Sequence, residues 1–139
     1  MIRCIVAIAL SCWMAAAPAA DWDHDANIDA AVVDIVSTWK LGGSTGMEKL
    51  VGGCYESIPS AQEPDDRLRR LEYCAGMDLA AVRLTRAVGS GESAGYFSAD
   101  QVLDRVGRLA AFISDPGVGN QIVRAWSRAS AEALERQGF

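Results

Sequence analysis

The chain has 139 residues, half of them hydrophobic, and a formal net charge of −5. This length suggests a single domain, and the acidic balance argues against binding to nucleic acid or to an anionic membrane surface. Residues 1–19 have the anatomy of a secretory signal peptide, with Arg3 at a short positive start, an apolar run at 4–10 and a small-residue cleavage zone. Cleavage after Ala19 satisfies the A-x-A rule and leaves one predicted domain, 20–139.

The leader also permits a second interpretation. Residues 9–12, Ala-Leu-Ser-Cys, faintly resemble a lipoprotein box, which would leave Cys12 lipidated and the protein anchored to a membrane. Ala9 stands where Leu or Val is usual, so the periplasm is the favoured location. No stretch of the mature part approaches the ~20 apolar residues that span a bilayer.

Residues 21–29 form a polar, acidic segment that contains His24, the only histidine of the chain. The segment copies the alternating oxygen side chains of a calcium loop. However, Ala26 replaces the sharp-turn glycine and Val32 replaces the bidentate glutamate. We therefore expect no metal site and no cofactor. The segment is interpreted as a charged, flexible tail whose aspartates favour the positive end of the first helix.

Five amphipathic helices are predicted from apolar residues that recur at helical spacing. Their expected bounds are 28–40, 47–58, 65–88, from Ser98 to a break at 115–117, and 118–137. The sequence Gly-Gly-Ser at 42–44 separates the first two helices. Gly52 and Gly53 lower the helix propensity of the second by about 1 kcal/mol each, and they would allow another backbone to approach closely.

The third predicted helix carries two apolar stripes, so we expect it to be central and packed on two sides. Asp78 falls between the stripes. A buried carboxylate is most often paired with an Arg or with backbone N–H groups, and a functional role is the alternative.

Ser98 begins a capping box for the fourth helix, Pro116 is suited to open a new turn, and Gly138 is suited to cap the last helix. Two-sided apolar helices permit a homodimer without requiring one.

The mature part contains two cysteines, Cys54 and Cys74, each ten residues from Pro64. Residues equidistant from the turn of an antiparallel helical hairpin face each other, so this spacing predicts a disulfide between the second and third helices. An even number of cysteines in an exported protein favours the same pairing. There is no Cys-x-x-Cys motif and no second pair to suggest a redox or zinc site. The predicted fold is a compact all-α bundle of about five helices with one disulfide-stapled helical hairpin.

The residues give little support for an enzyme. A nucleophile needs a base to activate it, and the only histidine lies in the predicted tail. The loop 89–95 contains three glycines but has neither the preceding strand nor the lysine of a phosphate-binding loop. We therefore expect a binding protein without catalytic activity.

Short motifs of the second half resemble those of a known family. They are Glu48-Lys-Leu-Val-Gly-Gly-Cys54, Cys74-Ala-Gly76, Tyr96-Phe-Ser-Ala-Asp-Gln-Val-Leu103 and Ile113-Ser-Asp-Pro116. Over about 47–138 the chain is similar to the periplasmic immunity proteins of type VI secretion peptidoglycan amidases, the Rap/Tai-type families. The resemblance implies a periplasmic inhibitor whose partner is a secreted peptidoglycan amidase. Where that family has a second cysteine pair this chain has Phe97 and Phe139, which suggests an apolar contact in its place.

Inhibitors of this kind insert a loop into the cleft of the enzyme. The resemblance thus marks 89–97 as the partner-binding segment, with a negative charge at Glu92 and an aromatic anchor at Tyr96. By residue type alone, an ordinary flexible connection is the competing interpretation. Two other functions remain open. One is a generic periplasmic helical adaptor or holdase of the cell envelope, and the other is a small-ligand carrier, which requires a large, dry, apolar pocket beside the third helix.

Overall fold

The structure, a computed structural model, describes residues 22–89, 95–113 and 116–139, with only the backbone described for 110–113 and 116–118. Within these ranges the chain forms four α-helices and no strand, which confirms the all-α class. The helices are α1 (His24–Ser57), α2 (Pro64–Ala87), α3 (Ala99–Ile113) and α4 (Pro116–Arg136), with a short 3₁₀ turn (Ile58–Ser60) after α1.

Helix α1 contains both of the first two predicted helices. Its backbone is helical except at Gly43, where φ is 57° and ψ is −155°. A positive φ of this kind favours glycine, because a side chain would meet its own backbone there. The predicted break is therefore a kink within one long element, and this accounts for four helices where about five were expected.

The start of α1 corrects the interpretation of the acidic segment as a flexible tail. The helix begins at His24, four residues before the predicted start. Asp23 caps it, because its side-chain oxygen accepts a hydrogen bond of 3.0 Å from the backbone N–H of Ala26. The segment thus forms the first turn of α1, and its side chains reach the core as described below.

Helix α2 is the central element and packs against each of the other three helices. Its residues between 71 and 85 are buried, except that Tyr73 is half-buried and Arg83 is exposed. This confirms the prediction that the helix with two apolar stripes is packed on more than one side. The core consists of apolar side chains from all four helices and from Phe97.

The close approach between backbones occurs at Gly76 of α2 and not at Gly52 and Gly53 as predicted. A Cβ atom on Gly76 would lie 2.9 Å from Ile28 Cδ1 and 3.3 Å from the Cβ of Ala31. A Cβ on Gly53 would meet no atom within 4 Å, and one on Gly52 would meet only a tyrosine hydroxyl at 3.8 Å. The absent side chain at Gly76 therefore sets how closely α1 can pack on α2.

The predicted helix caps are confirmed. The Ser98 hydroxyl oxygen accepts a hydrogen bond of 3.3 Å from the backbone N–H of Gln101, and α4 begins at Pro116. Gly138 has a φ of 88°. Its N–H donates to the carbonyl of Glu135, and the N–H of Phe139 donates to that of Leu134. This pair of bonds is the Schellman arrangement that ends many helices.

Phe97 and Phe139 each pack against another aromatic ring. Phe97 meets Tyr96 with ring centroids 5.1 Å apart. Phe139 meets Trp39 at 5.7 Å, edge to face.

In the part of the chain that the structure describes, no helix is both long enough and apolar enough to cross a membrane.

Candidate functional site

The predicted disulfide is present between α1 and α2. Cys54 and Cys74 are bonded, with their Cα atoms 5.7 Å apart. Cys74 is fully buried, whereas Cys54 is half-buried. The bond therefore joins the second half of α1 to the middle of the central helix, and it holds in place the surface on which the predicted partner-binding residue lies.

Of the two residues predicted to bind a partner, Glu92 lies outside the described residues and Tyr96 lies just before α3. The Tyr96 side chain is half-buried, and its ring is covered by the guanidinium of Arg105, whose carbon lies 3.9 Å from the ring centroid. A guanidinium over an aromatic face is attracted to the electron density of the ring. Tyr96 is thus held by the domain itself and keeps only part of its surface exposed.

Arg105 of α3 is in turn fixed by Asp78 of α2. Its Nε donates to one carboxylate oxygen at 3.0 Å and its Nη2 to the other at 2.8 Å. The same Nη2 donates to the backbone carbonyl of Tyr96 at 2.8 Å. Asp78 is fully buried, and the oxygen that accepts from Nε, Oδ2, also accepts a hydrogen bond of 3.1 Å from the hydroxyl of Tyr55. This confirms the structural interpretation of Asp78 as a carboxylate paired with an arginine.

Burial sets the protonation of this cluster. It raises the pKa of the Asp78 carboxyl above its ordinary value, and the hydrogen bond and charge of Arg105 oppose that rise. Burial and the neighbouring Asp78 raise the pKa of the Tyr55 phenol far above its ordinary value. Tyr55 therefore stays protonated and acts as a donor. The cluster consists of an ion pair between Asp78 and Arg105, to which the neutral hydroxyl of Tyr55 donates a hydrogen bond.

An open groove of about 530 Å³ lies beside Tyr96, between α1 and α3. We call it the Tyr96 groove, and it is lined by Gly52, Tyr55, Glu56, Tyr96, Arg105, Arg108 and Leu109. Aromatic and arginine side chains with adaptable polar neighbours are typical of protein-binding surfaces. Because Arg105 is bonded to Asp78, the domain itself fixes the position of its guanidinium.

A second polar centre, which sequence reasoning missed, surrounds Glu72 of α2. Its carboxylate is buried, with 1% of the residue exposed. One oxygen accepts hydrogen bonds of 2.9 Å from the Trp22 indole and from the Asn27 amide. The other faces His24 Nδ1 at 2.5 Å and accepts a bond of 2.9 Å from the Trp126 indole. The carboxylate thus joins the start of α1 and the middle of α4 to the central helix.

Beside Glu72 lies a second groove of about 300 Å³, between α1, α2 and α4. We call it the Glu72 groove. Its walls are mainly apolar, and its lining residues are His24, Asp25, Ile28, Leu68, Glu72, Ile122, Ala125, Trp126 and Ala129. Its polar side is formed by Glu72, by the half-exposed ring of His24 and by exposed Asp25. The small-ligand interpretation required a large, dry, apolar pocket beside the central helix, and this groove matches it only in part because one side is polar and charged.

The chemistry that these residues can perform follows from their hydrogen bonds. An imidazole oriented by a buried carboxylate is the base of many hydrolytic triads. The described residues that line the Glu72 groove, however, include no Ser, Thr or Cys to serve as a nucleophile. Both oxygens of Asp78 and of Glu72 are engaged by donors. Across the described ranges, no group of three or more His, Cys, Asp or Glu side chains is placed to hold a metal ion.

Two signals in the sequence point to the missed centre. On a helical wheel Glu72 lies only about 40° from Leu68, so it is a charged residue inside an apolar stripe. Trp22 and Asn27 are donors in a segment that otherwise consists mostly of acids.

Comparisons of this chain with protein-family models, with curated proteins and with solved structures found no match.

Proposed function

We propose that this protein is a non-catalytic periplasmic binding protein that inhibits a secreted peptidoglycan-cleaving enzyme. The observation that carries the proposal is the fixation of Tyr96 by Arg105 and Asp78 at the edge of an open groove. An aromatic anchor whose position is already set loses little conformational freedom on binding, and this favours tight association. The motif resemblance to immunity proteins of cell-wall amidases supplies the class of partner.

The absence of catalysis is part of the same proposal. Asp78 and Glu72 are the two acids whose burial would suit them to acid–base chemistry. Each has its oxygens occupied by donors from neighbouring helices, so neither is placed to take a proton from a substrate. The buried polar groups are therefore assigned to holding the binding surface, not to a reaction.

The test is inhibition of a defined enzyme. The reading frames beside this chain's gene are searched for a secreted cell-wall hydrolase, and a neighbourhood that encodes none would count against the proposal. A hydrolase found there is purified, and release of soluble peptidoglycan fragments is measured with and without the mature protein. We expect complete inhibition at a one-to-one ratio. Undiminished cleavage at a tenfold excess of this protein would contradict the proposal.

Substitution of the anchor locates the surface. Tyr96→Ala should weaken binding to the hydrolase about 30-fold, as truncation of an aromatic hot spot does. Leu103→Ala is the matched control, because Leu103 is an exposed apolar residue of α3 that lines a different cleft, towards α2 and α4. If both variants bound the hydrolase with equal affinity, Tyr96 would not be part of the interface.

The location is tested separately. Protein recovered from the periplasm should begin at Ala20 and carry no lipid, as shown by its mass and N-terminal sequence. A recovered protein that begins at Cys12 and carries acyl chains would contradict this prediction and show that the protein is anchored to a membrane.

A further inference from the structure

The Glu72 groove has the size and walls of a small-molecule site. Ligand pockets have volumes of about 300–1,000 Å³ and combine apolar walls with a few placed polar groups. The groove holds about 300 Å³, roughly twice the volume of an apolar cavity that binds benzene. Ile28, Leu68, Ile122 and Ala129 form its apolar walls, and the indole of Trp126 forms part of its surface.

The charged residues of the groove determine whether it favours a positively or a negatively charged ligand. Asp25 and Glu72 are the two acids among its described lining residues, and none of those residues is Lys or Arg. Asp25 is exposed, whereas Glu72 is buried beneath its four N–H donors. A positively charged group at the rim therefore lowers the electrostatic energy of the groove, and a negatively charged group raises it.

We infer that the Glu72 groove binds a small amphiphile with an apolar body and a positively charged amine. The apolar body lies between the side chains of α1, α2 and α4, and the ammonium group lies at the rim beside Asp25. The four donors to Glu72 hold the walls of the groove in position without requiring the ligand. The site lies on a different side of α2 from the Tyr96 groove and is independent of the proposed inhibition of a hydrolase.

Three probes with the same eight-carbon tail test the inference. Octylamine, octanol and octanoate at pH 7 differ chiefly in the charge of the head group. Binding to the mature protein is measured by titration calorimetry, with tryptophan fluorescence as a second readout because Trp126 lines the groove. We expect octylamine to bind with a Kd of about 0.1–1 mM, as the small number of atoms implies. Octanoate should bind about tenfold more weakly than octylamine.

Each other outcome overturns the inference. Equal affinity for octanol and octylamine would show that the charge at the rim plays no part. Tighter binding of octanoate would reverse the assigned sign, and no binding of any probe would show that the groove is not a site for such ligands.

Variants place the ligand within the groove. Asp25→Asn should weaken octylamine about threefold to fivefold and leave octanol unchanged, because only the ammonium group senses the carboxylate. Ala129→Phe should fill the groove and abolish binding of all probes. Ile122→Ala gives a second measurement if the larger residue disturbs folding, and it should weaken octanol and octylamine equally. Leu103→Ala is the control outside the groove, and the inference fails if that variant reduces binding as much as those in the groove.

Discussion

The cluster around Glu72 allows a quantitative test of how the domain is held together. In Glu72→Gln the side chain keeps its shape, but one carboxylate oxygen becomes an amide NH₂ group. Two of the four neighbouring groups reach each oxygen. In one orientation the amide NH₂ faces the N–H groups of Trp22 and Asn27, and in the other it faces the Trp126 indole N–H and His24 Nδ1, which can accept in its other tautomer. When the amide nitrogen faces Trp126, a buried indole N–H loses its acceptor.

The expected cost follows from these contacts. A buried donor without a partner costs about 1–3 kcal/mol. The hydrogen bonds that remain lose the assistance of the negative charge, and charge-assisted bonds are roughly twice as strong as neutral ones. Together these effects predict a loss of about 3 kcal/mol in the free energy of unfolding. This is a large share of the 5–15 kcal/mol typical of a domain, and it corresponds to a decrease in Tm of about 12 °C for a domain of this size.

The assay is guanidinium unfolding of the mature protein followed by circular dichroism, with the disulfide intact. Glu135→Gln is the matched control, because Glu135 is an exposed glutamate of α4 whose substitution should change stability by less than about 0.5 kcal/mol. Trp126→Phe removes the indole donor that the glutamine amide would face. The double variant with Glu72→Gln should therefore recover about 1–2 kcal/mol relative to the sum of the single changes. A Glu72→Gln variant as stable as the control, or strictly additive effects, would refute the reasoning.

Three further predictions concern the disulfide, the tyrosines and the glycines. Reduction of the disulfide should lower the free energy of unfolding by about 3 kcal/mol, as expected for a loop of about twenty residues, and unfolding curves with and without reductant check this. Burial raises the pKa of all three tyrosines of the chain. Their contribution to stability is therefore fully present below the unfolded value of about 10 and is lost as pH rises through the folded values. Absorbance at 295 nm should show that the tyrosines of the native protein ionise at higher pH than those of the urea-unfolded chain. Gly53→Ala should raise the free energy of unfolding by about 0.5–1 kcal/mol, because alanine favours the helix and its Cβ would meet no atom within 4 Å. Gly76→Ala should lower the free energy of unfolding by about 1–2 kcal/mol, because Ile28 and Ala31 must move to make room for the Cβ. Thermal unfolding of the two glycine variants decides the last point, and equal shifts would contradict it.

Local patterns were sufficient to predict the helices and the disulfide. Apolar spacing located α2 and α4 to within two residues at each end, because their breaks coincide with proline or glycine. The spacing about Pro64 predicted the pairing of Cys54 with Cys74. The structure has four helices where about five were expected, because Gly43 turns the backbone without ending α1. The sequence pattern at 42–44 marks a change of direction, but it does not distinguish a kink from a loop.

The polar centres were harder to predict because their partners come from distant parts of the chain. Asp78 was expected to be paired with an arginine or with backbone N–H groups, but which of these it meets depends on how α3 docks against α2. Glu72 was missed because three of its donors, Trp22, His24 and Asn27, lie in a segment whose acidic composition suggested a tail. Only the packing of α1 on α2 brings that segment to the carboxylate, and no local pattern encodes such a contact.

The two buried acids explain how one helix fixes the positions of the other three. Glu72 and Asp78 are six residues apart on α2, which separates them by about 9 Å along the axis and about 120° around it. Glu72 takes donors from the start of α1 and from α4, and Asp78 takes donors from the end of α1 and from α3. Apolar contacts tolerate rearrangement, whereas a buried carboxylate that loses its donors is costly. A rotation or shift of α2 would break both sets of bonds at once, so the two acids together select a single register. Glu72 lines one groove, and Asp78 fixes Arg105 and Tyr55, which line the other. The bonds that set the register of the bundle therefore also set the geometry of both proposed binding surfaces.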